Sequence, residues 1–100
     1  MMEGEENLIK QAVKGESEAF GALYDYYLPK IYRFILIKVS HREQAEDLTH
    51  QTFLKAWEGV GSYKSQGNPF GSWLYKIARN TVIDHYRSNR PRVSLEDVSP

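Results

Sequence analysis

Hydrophobic positions recur at helical spacing along most of the chain, most clearly over residues 70–88. From Phe70 onward, apolar residues repeat at i, i+3, i+4 and i+7, as in the buried stripe of an amphipathic helix. That stripe consists of Phe70, Trp73, Leu74, Ile77, Ala78, Thr81 and Val82. The opposite face carries Ser72, Tyr75, Lys76, Arg79, Asn80, Ile83 and Arg87, and it contains no glutamate. The pattern predicts one helix with a core face and a polar face.

Two further helices are predicted in the first part of the chain. Residues 7–14 form the first, and Gly15 is placed to end it because glycine adopts the left-handed conformation at little cost. Ser17 can cap the second helix. Pro29 lies inside that second pattern and should kink or break it. The apolar stripe of the second helix comprises Phe20, Leu23, Tyr24, Tyr27, Leu28, Ile31 and Ile35.

Another helix is predicted from a capping box, with Ser40 at the cap and Glu43 three residues later, to about Glu58. Its core stripe comprises Ala45, Leu48, Thr49, Thr52, Phe53, Ala56, Trp57 and Val60. Its outward face comprises Asp47, His50, Gln51, Leu54 and Glu58. An apolar residue such as Leu54 among polar ones indicates a protein–protein contact. The alternative is a single exposed leucine, which is common on protein surfaces.

The clearest loop covers residues 59–68, with three glycines, two serines and no period. Asn68 then caps the last helix, and Pro69 occupies its first turn. No alternating apolar run predicts a strand. We therefore expect an all-α fold, a compact bundle of about four helices in one domain over residues 1–92. Residues 93–100 are expected to form a linker or tail.

Charge is segregated along a chain whose net charge is zero. Residues 1–25 hold six acidic residues against two lysines, whereas residues 63–92 hold six basic residues against Asp84 alone. A segregated basic half is a local electrostatic footprint, although chance clustering in a short chain is the alternative. With Tyr75, Asn80 and the cations on one rigid face, the last helix suits a polyanion with stackable bases. An ordinary solvated helix face is the competing interpretation.

Several classes of protein are disfavoured by what the sequence lacks. There is no cysteine, so neither a disulfide scaffold nor a thiolate metal site is expected. The three histidines lack the i, i+4 spacing of a helical metal pair, no glycine-rich phosphate motif occurs, and no nucleophile accompanies Asp47 and His50. We therefore expect no enzyme, metal or cofactor. The acidic start and the absence of a long apolar run predict a cytoplasmic protein without membrane insertion.

Two motifs in order give the chain a family resemblance. AEDLTHQTFLKAW at residues 45–57, a glycine-containing loop, and FGSWLYKIARNTVIDHYR at residues 70–87 resemble region two of bacterial RNA polymerase sigma factors. The similarity is to the extracytoplasmic-function (ECF) group, and it extends from about Leu8 to Arg92. The resemblance implies an all-helical domain that binds the β′ coiled coil of RNA polymerase and recognises and melts the minus-ten promoter element. It also implies an anti-sigma factor as a partner.

The resemblance further assigns roles to individual positions of this chain. The core-polymerase-binding residues it implies are Asp47, Leu48, His50, Gln51 and Leu54. The residues it implies for capturing an extruded base of the non-template strand are Tyr63, Lys64, Asn68, Phe70 and Ser72. The strand-reading face it implies consists of Tyr75, Lys76, Arg79, Asn80, Ile83, Asp84 and Arg87. Asn80 would read a base edge, while Lys76, Arg79 and Arg87 would hold phosphates.

The chain also departs from the family pattern. His50 and Gln51 stand where family members often have glutamine followed by an acid, and the basic run after residue 87 is thin. The helix-turn-helix domain that reads the minus-thirty-five element is absent, so we expect a fragment of a longer protein. The alternative function is a protein-interaction module with a sigma-like fold that binds an anti-sigma partner and has no DNA function of its own.

Overall fold

The computed structural model describes residues 2–88, and within them it is helical with short connections and no strand. The helices are α1 (Glu5–Val13), α2 (Ser17–Val39), α3 (Arg42–Gly59), a short 3-10 helix (Val60–Ser62) and α4 (Phe70–Ser88). The expected all-α bundle of about four helices is confirmed. The predicted tail over residues 93–100 lies outside the described residues, as do Arg90 and Arg92.

Helix α2 is the centre of the bundle, because α1, α3 and α4 all pack against it. The largest fully buried apolar side chains are Leu23, Ile31 and Ile35 of α2 and Leu74 of α4. Removing each such side chain from water contributes about 1.5–3 kcal/mol. The apolar stripes therefore hold α4 in a fixed rotation against α2. No helix within residues 2–88 combines the length and the apolarity that crossing a bilayer requires.

The predicted end of the first helix is confirmed, although the helix begins earlier than expected. Helix α1 starts at Glu5 rather than residue 7 and ends at Val13. Gly15 has a φ of 96°, in the left-handed region that favours glycine. Its N–H donates to the Ala12 carbonyl at 2.9 Å, and the Glu16 N–H donates to the Gln11 carbonyl at 3.1 Å. These are the two hydrogen bonds of a Schellman motif.

Pro29 does not break α2, which is continuous over 23 residues. Proline removes one helical hydrogen bond and crowds the preceding turn, at a cost of about 3 kcal/mol. Tyr27 and Ile31 are buried on either side of Pro29, whose own ring is exposed. The packing of both halves of α2 on the same core therefore outweighs the local cost. The start of α2 is also shifted by one residue, because Glu16 is the N-cap and Ser17 is the first helical residue.

The predicted capping box at Ser40 and Glu43 is wrong. Helix α2 extends to Val39, and Ser40 terminates it in the left-handed conformation with a φ of 52°. The Ser40 N–H donates to the Leu36 carbonyl at 2.7 Å. His41 is consequently the N-cap of α3, and its Nδ1 accepts a hydrogen bond from the Gln44 N–H at 3.2 Å. One residue cannot both end α2 and cap α3, so the cap moves to the next position.

Trp57 is not part of the core, contrary to the prediction. Its side chain is 38% exposed, and its ring packs on Phe20 with centroids 5.0 Å apart. Trp57 lies three residues after the exposed Leu54, at the edge of the apolar stripe of α3. Trp73 and Ile77 are only half-buried and pack against the margin of the core. The centre of the α3 stripe is formed by Ala45, Leu48, Thr49, Thr52, Phe53 and Ala56.

Candidate nucleic-acid interface

Helix α4 presents the two faces that its periodicity predicts. Its buried residues are Phe70, Leu74, Ala78, Thr81 and Val82. Thr81 donates its hydroxyl hydrogen to the Ile77 carbonyl at 2.8 Å, so this polar side chain is satisfied within its own helix. The exposed residues of the opposite face are Ser72, Lys76, Arg79, Asn80, Ile83, Asp84 and Arg87, while Tyr75 is half-buried. The structure thus brings the predicted strand-reading residues onto one surface.

Asp84 is the one acidic side chain of that surface, and it faces α3. Its Oδ2 lies 3.8 Å from the Nζ of Lys55, which also donates to Thr81 Oγ1 at 3.4 Å. Both members of this ion pair are largely solvated, so it contributes little to stability. The pair nevertheless neutralises the carboxylate locally. The charge that α4 presents to an approaching polyanion is therefore set by its lysine and arginines.

An open groove separates α4 from α2. The α4 side contributes Ser72, Tyr75, Lys76 and Arg79, with Asn68 at its end; the α2 side contributes Phe34 and Lys38. Phe34 packs edge-on against Tyr75, with centroids 5.1 Å apart and planes at 79°. No acidic side chain lines this groove. Sequence reasoning did not identify Phe34 or Lys38, because only the packing of the two helices places them beside α4.

The predicted base-capture region divides into buried and exposed side chains. Tyr63 and Phe70 are buried, at 7% and 3% exposure, and their rings pack edge-on with centroids 5.6 Å apart. The Tyr63 hydroxyl donates to the Asn68 carbonyl at 2.5 Å and so closes the loop on itself. Burial raises the pKa of Tyr63. Lys64 and Ser72 are exposed and Asn68 is half-buried, so these three are the accessible members of the set.

Beneath this loop lies a buried carboxyl group that sequence reasoning missed. Glu5 is only 3% exposed, and the Tyr27 hydroxyl lies 3.0 Å from both of its carboxyl oxygens. The backbone N–H of Met2 also donates to Glu5 Oε1, at 3.2 Å. Burial and the hydrogen bond to Glu5 raise the pKa of Tyr27. No local sequence signal marks this contact, because its partners are 22 residues apart.

Tyr27 connects Glu5 of α1 to the start of α4. Its ring packs on Phe70 with centroids 5.7 Å apart. A methyl group built at Gly71 would lie 3.4 Å from the Tyr27 hydroxyl, which is ordinary van der Waals distance. The first turn of α4 therefore rests directly on the side chain that α1 holds through Glu5. This arrangement fixes the position from which the α4 face projects.

The second predicted surface lies on α3. Asp47, His50 and Gln51 are exposed, and Leu54 is 49% exposed among them. Leu48 is 3% exposed and belongs to the core, so its side chain is not available at this surface. Trp57 continues the apolar part of the face. Within residues 2–88, no three side chains of the histidine, aspartate and glutamate types converge in a way that could hold a metal ion.

The sequence of the chain matches known proteins. A family model described as Sigma-70 region 2 matches residues 23–92. The ECF RNA polymerase sigma factor BldN of Streptomyces coelicolor is 47% identical over 88 residues, which cover 88% of this chain and 33% of BldN. The chain thus spans about a third of the length of that relative.

Two solved structures resemble the fold. One is a complex of RsbN and BldN, with a TM-score of 0.73 and 46% identity over 80% of this chain and 58% of the matched chain. The other is an engineered region 2 of sigmaE in complex with GTAAAA, with a TM-score of 0.82 and 27% identity. That match covers 95% of this chain and 100% of the engineered one. The described helices therefore share the fold of these sigma-factor region-two structures.

Proposed function

The chain belongs to the sigma-70 region 2 family of ECF sigma factors, and from that premise we propose that it recognises and melts the minus-ten promoter element in transcription initiation. The observation that carries this proposal is the exposed α4 face. Lys76, Arg79 and Asn80 stand there beside an aromatic groove that no acidic side chain lines. The proposed role is binding rather than catalysis, and it would be exercised in the cytoplasm, together with RNA polymerase.

Each part of the α4 face suits a different part of a single DNA strand. Lys76, Arg79 and Arg87 are exposed cations that can hold phosphates and set the register. Asn80 offers an amide that can pair with the edge of a base, and Tyr75 offers part of a ring for stacking. The engineered sigmaE domain, which shares this fold, was solved with GTAAAA. We propose that this chain binds a short sequence of that class within the minus-ten element.

Opening of the duplex needs no nucleotide hydrolysis under this proposal. Extruding a base costs a few kcal/mol, and stacking a base on an aromatic side chain returns about 1–3 kcal/mol. We propose that the extruded base is held by the loop before α4, where Lys64, Asn68 and Ser72 are accessible. Tyr63 and Phe70 would form the wall behind them, because their rings are packed into the core.

We further propose that the α3 face binds the β′ coiled coil of RNA polymerase. Leu54 supplies an exposed apolar centre, and Asp47, His50 and Gln51 supply a polar surround. A desolvated apolar anchor within a polar rim is the arrangement in which a few residues carry most of the binding energy. Leu48 would act here only by supporting the helix from the core side.

A protein regulator is the other partner we propose. The related BldN was solved in complex with RsbN, and this chain matches BldN in that structure over most of its described length. We propose that an anti-sigma factor binds this chain and thereby competes with the polymerase or with promoter DNA. In a module that binds only such a regulator, substitutions on the α4 face would change neither the strength of DNA binding nor the discrimination between DNA sequences.

The DNA role is tested with RNA polymerase holoenzyme reconstituted from this chain, using permanganate footprinting and binding across a salt series. Lys76→Ala and Arg79→Ala should weaken binding to all sequences and lower the salt slope by about 0.7 each, since each removes one single-strand phosphate contact. Asn80→Ala should relax discrimination at one minus-ten position by about 1–3 kcal/mol. Arg42→Ala, an exposed cation at the start of α3, is the matched control. Equal loss for every sequence with Asn80→Ala would rule out base reading by that residue.

The polymerase contact is tested separately, by binding of the chain to a β′ coiled-coil fragment. Asp47→Ala and Leu54→Ala should each weaken binding by about 1–3 kcal/mol, in the range for central interface positions. Thermal stability should change little, because both side chains are exposed. Glu18→Ala, on the exposed first turn of α2, serves as the control for lost negative charge. Undiminished binding of the double variant Asp47→Ala/Leu54→Ala would refute the assignment.

A further inference from the structure

Tyr75 lines two open grooves. The first is the groove already described between α2 and α4, which contains Phe34 and Lys38. The second groove is lined by Tyr26, Pro29, Lys30 and Arg33 of α2 as well as Tyr75. Neither groove is lined by an acidic side chain. Because Tyr75 belongs to both, the surface continues from the α4 cations to the outer side of α2.

The three cations on the α2 side of these grooves, Lys30, Arg33 and Lys38, are defined here as the α2 basic edge. All three side chains are exposed. None of them forms an ion pair within residues 2–88, where Lys55 and Asp84 make the ion pair that is found. Lys30 and Lys38 are eight residues apart, so the edge extends about 12 Å along the helix. Its charge is thus available to a partner at several successive points.

Two of these three cations lie against aromatic rings. The Nζ of Lys30 lies 5.1 Å from the centroid of the Tyr26 ring, and the Nζ of Lys38 lies 4.7 Å from that of Phe34. Contacts of this kind contribute only about 0.5–1 kcal/mol at exposed sites, but they hold a long flexible side chain close to the surface. A row of cations held against rings, without acids, suits a single nucleic-acid strand better than an acidic peptide, because it pairs with both phosphates and base faces.

We propose that the α2 basic edge is a second phosphate-binding track, which extends the single-strand footprint of α4 across Tyr75. The inference rests on the proposed DNA function and adds a contact surface to it. Nucleotides beyond those that α4 holds would follow the outer side of α2 and contribute affinity through their phosphates. Their contribution would depend on strand length and salt, and it would not depend on base sequence.

The test uses this chain bound to core RNA polymerase and labelled single-stranded oligonucleotides that contain a minus-ten sequence. The oligonucleotides range from about 6 to about 16 nucleotides and are extended at either end. We compare the parent with the triple variant Lys30→Ala/Arg33→Ala/Lys38→Ala. A charge-preserving variant, Lys30→Arg/Arg33→Lys/Lys38→Arg, should retain parental binding. Arg42→Ala controls for the loss of an exposed cation outside both grooves.

Because Lys38 also lines the groove beside α4, the triple variant should lose one phosphate contact on the shortest oligonucleotide. It should in addition lose the gain in affinity that extension at one end gives the parent. Three lost phosphate contacts lower the single-strand salt slope by about 2. The ratio of parental to variant affinity for long strands should therefore fall about twentyfold between roughly 50 and 200 mM salt. Parental length dependence and salt slope in the triple variant would overturn the α2 track.

The two proposals fail in different ways. Loss of binding by Lys76→Ala/Arg79→Ala together with unchanged long-strand binding by the triple variant would refute the α2 track and leave the DNA role of α4 standing. Unchanged binding by both variants would refute both. A third outcome is a triple variant that binds long strands like the parent and no longer binds an acidic polypeptide that the parent binds. That result would assign the α2 basic edge to a protein partner and would also overturn the proposal.

Discussion

Replacing Tyr27 by phenylalanine tests the buried contact that joins α1 to the rest of the bundle. The Tyr27 hydroxyl has a single hydrogen to share between the two Glu5 oxygens, both at 3.0 Å. Phenylalanine keeps the ring packed on Phe70 and leaves no cavity, so the substitution removes the donor and little else. The Glu5 carboxyl group, 3% exposed, would keep only the Met2 N–H among the donors described.

The expected cost is about 2 kcal/mol, the size typical of a hydrogen bond to a charged group whose partner then stays buried. For a domain of this length, that corresponds to a fall in melting temperature of roughly 10 °C. Urea denaturation should show a lower midpoint with an unchanged m-value, because the buried surface is the same. In the double variant Glu5→Leu/Tyr27→Phe no carboxyl group is left unsatisfied, so the combined cost should fall short of the sum of the single costs by at least about 1 kcal/mol.

Tyr26→Phe is the matched control, since its hydroxyl makes no hydrogen bond within residues 2–88 and its ring packs edge-on against Tyr27. It should change the free energy of unfolding by less than about 0.5 kcal/mol. One contrary outcome is that Tyr27→Phe also leaves the free energy of unfolding unchanged, and another is that the losses in that free energy from Glu5→Leu and Tyr27→Phe are additive. Either result would show that the contact does not hold α1 in place. The position of the first turn of α4 would then not depend on Tyr27.

Substitutions at two helix ends and one titration test other described contacts. Ser40→Gly should stabilise the protein by about 0.5–1 kcal/mol, because glycine relieves the left-handed backbone at that position; a lower melting temperature would contradict this. His41→Ala should cost about 1 kcal/mol through loss of the α3 N-cap, and His41→Asn should recover most of it in the same thermal scans. In alkaline titration followed by ultraviolet absorbance, Tyr27 and Tyr63 should ionise at a higher pH in the folded protein than in the unfolded chain, because burial raises the pKa of both. Because their pKa values are raised on folding, the stability they contribute is complete below about pH 10 and is lost as the pH rises above it; the same titration in the folded protein and the unfolded chain would refute this.

The faces of α4 could be predicted from sequence because a helical period of 3.6 residues assigns each position a direction. The buried residues Leu74 and Ala78 and the exposed residues Lys76 and Arg79 lie where the pattern places them. The ending at Gly15 could also be predicted, since few residues adopt a positive φ without strain. Local chemistry alone decides both features, so one sequence is sufficient to find them.

Features that depend on two segments at once could not be predicted in the same way. Ser40 fits a helix cap locally, but whether it caps α3 depends on how far the packing of Val39 extends α2. Glu5 looks like one more acid of an acidic N-terminus until Tyr27 is brought over it. Phe34 and Lys38 likewise become part of the candidate interface only when α2 is laid beside α4.

Leu48 and Trp57 illustrate the limit of assigning faces by period. The family resemblance placed Leu48 at the polymerase surface, whereas its side chain is buried; the period placed Trp57 in the core, whereas it is partly exposed. The apolar stripe of a helix has margins. Whether a side chain at the margin is buried or exposed depends on how the neighbouring helix packs. The polymerase-binding and DNA-binding roles of the site residues remain predictions.

The buried threonines donate their hydrogen bonds within single helices, and this affects how sequences with this fold can diverge. Thr49, Thr52 and Thr81 each donate to a carbonyl four residues earlier in their own helix, at 2.6, 2.7 and 2.8 Å. Between different helices of residues 2–88, the buried side-chain hydrogen bonds are those of Tyr27 to Glu5. Thr81 also accepts from the exposed Lys55 of α3, at 3.4 Å. The other core positions of residues 2–88 have no polar partner across a helix boundary that must change with them, so substitutions there can accumulate one at a time. A core of this kind tolerates many substitutions provided that its volume is conserved. We therefore expect the fold to persist at low sequence identity, and the engineered sigmaE domain shares it at 27% identity.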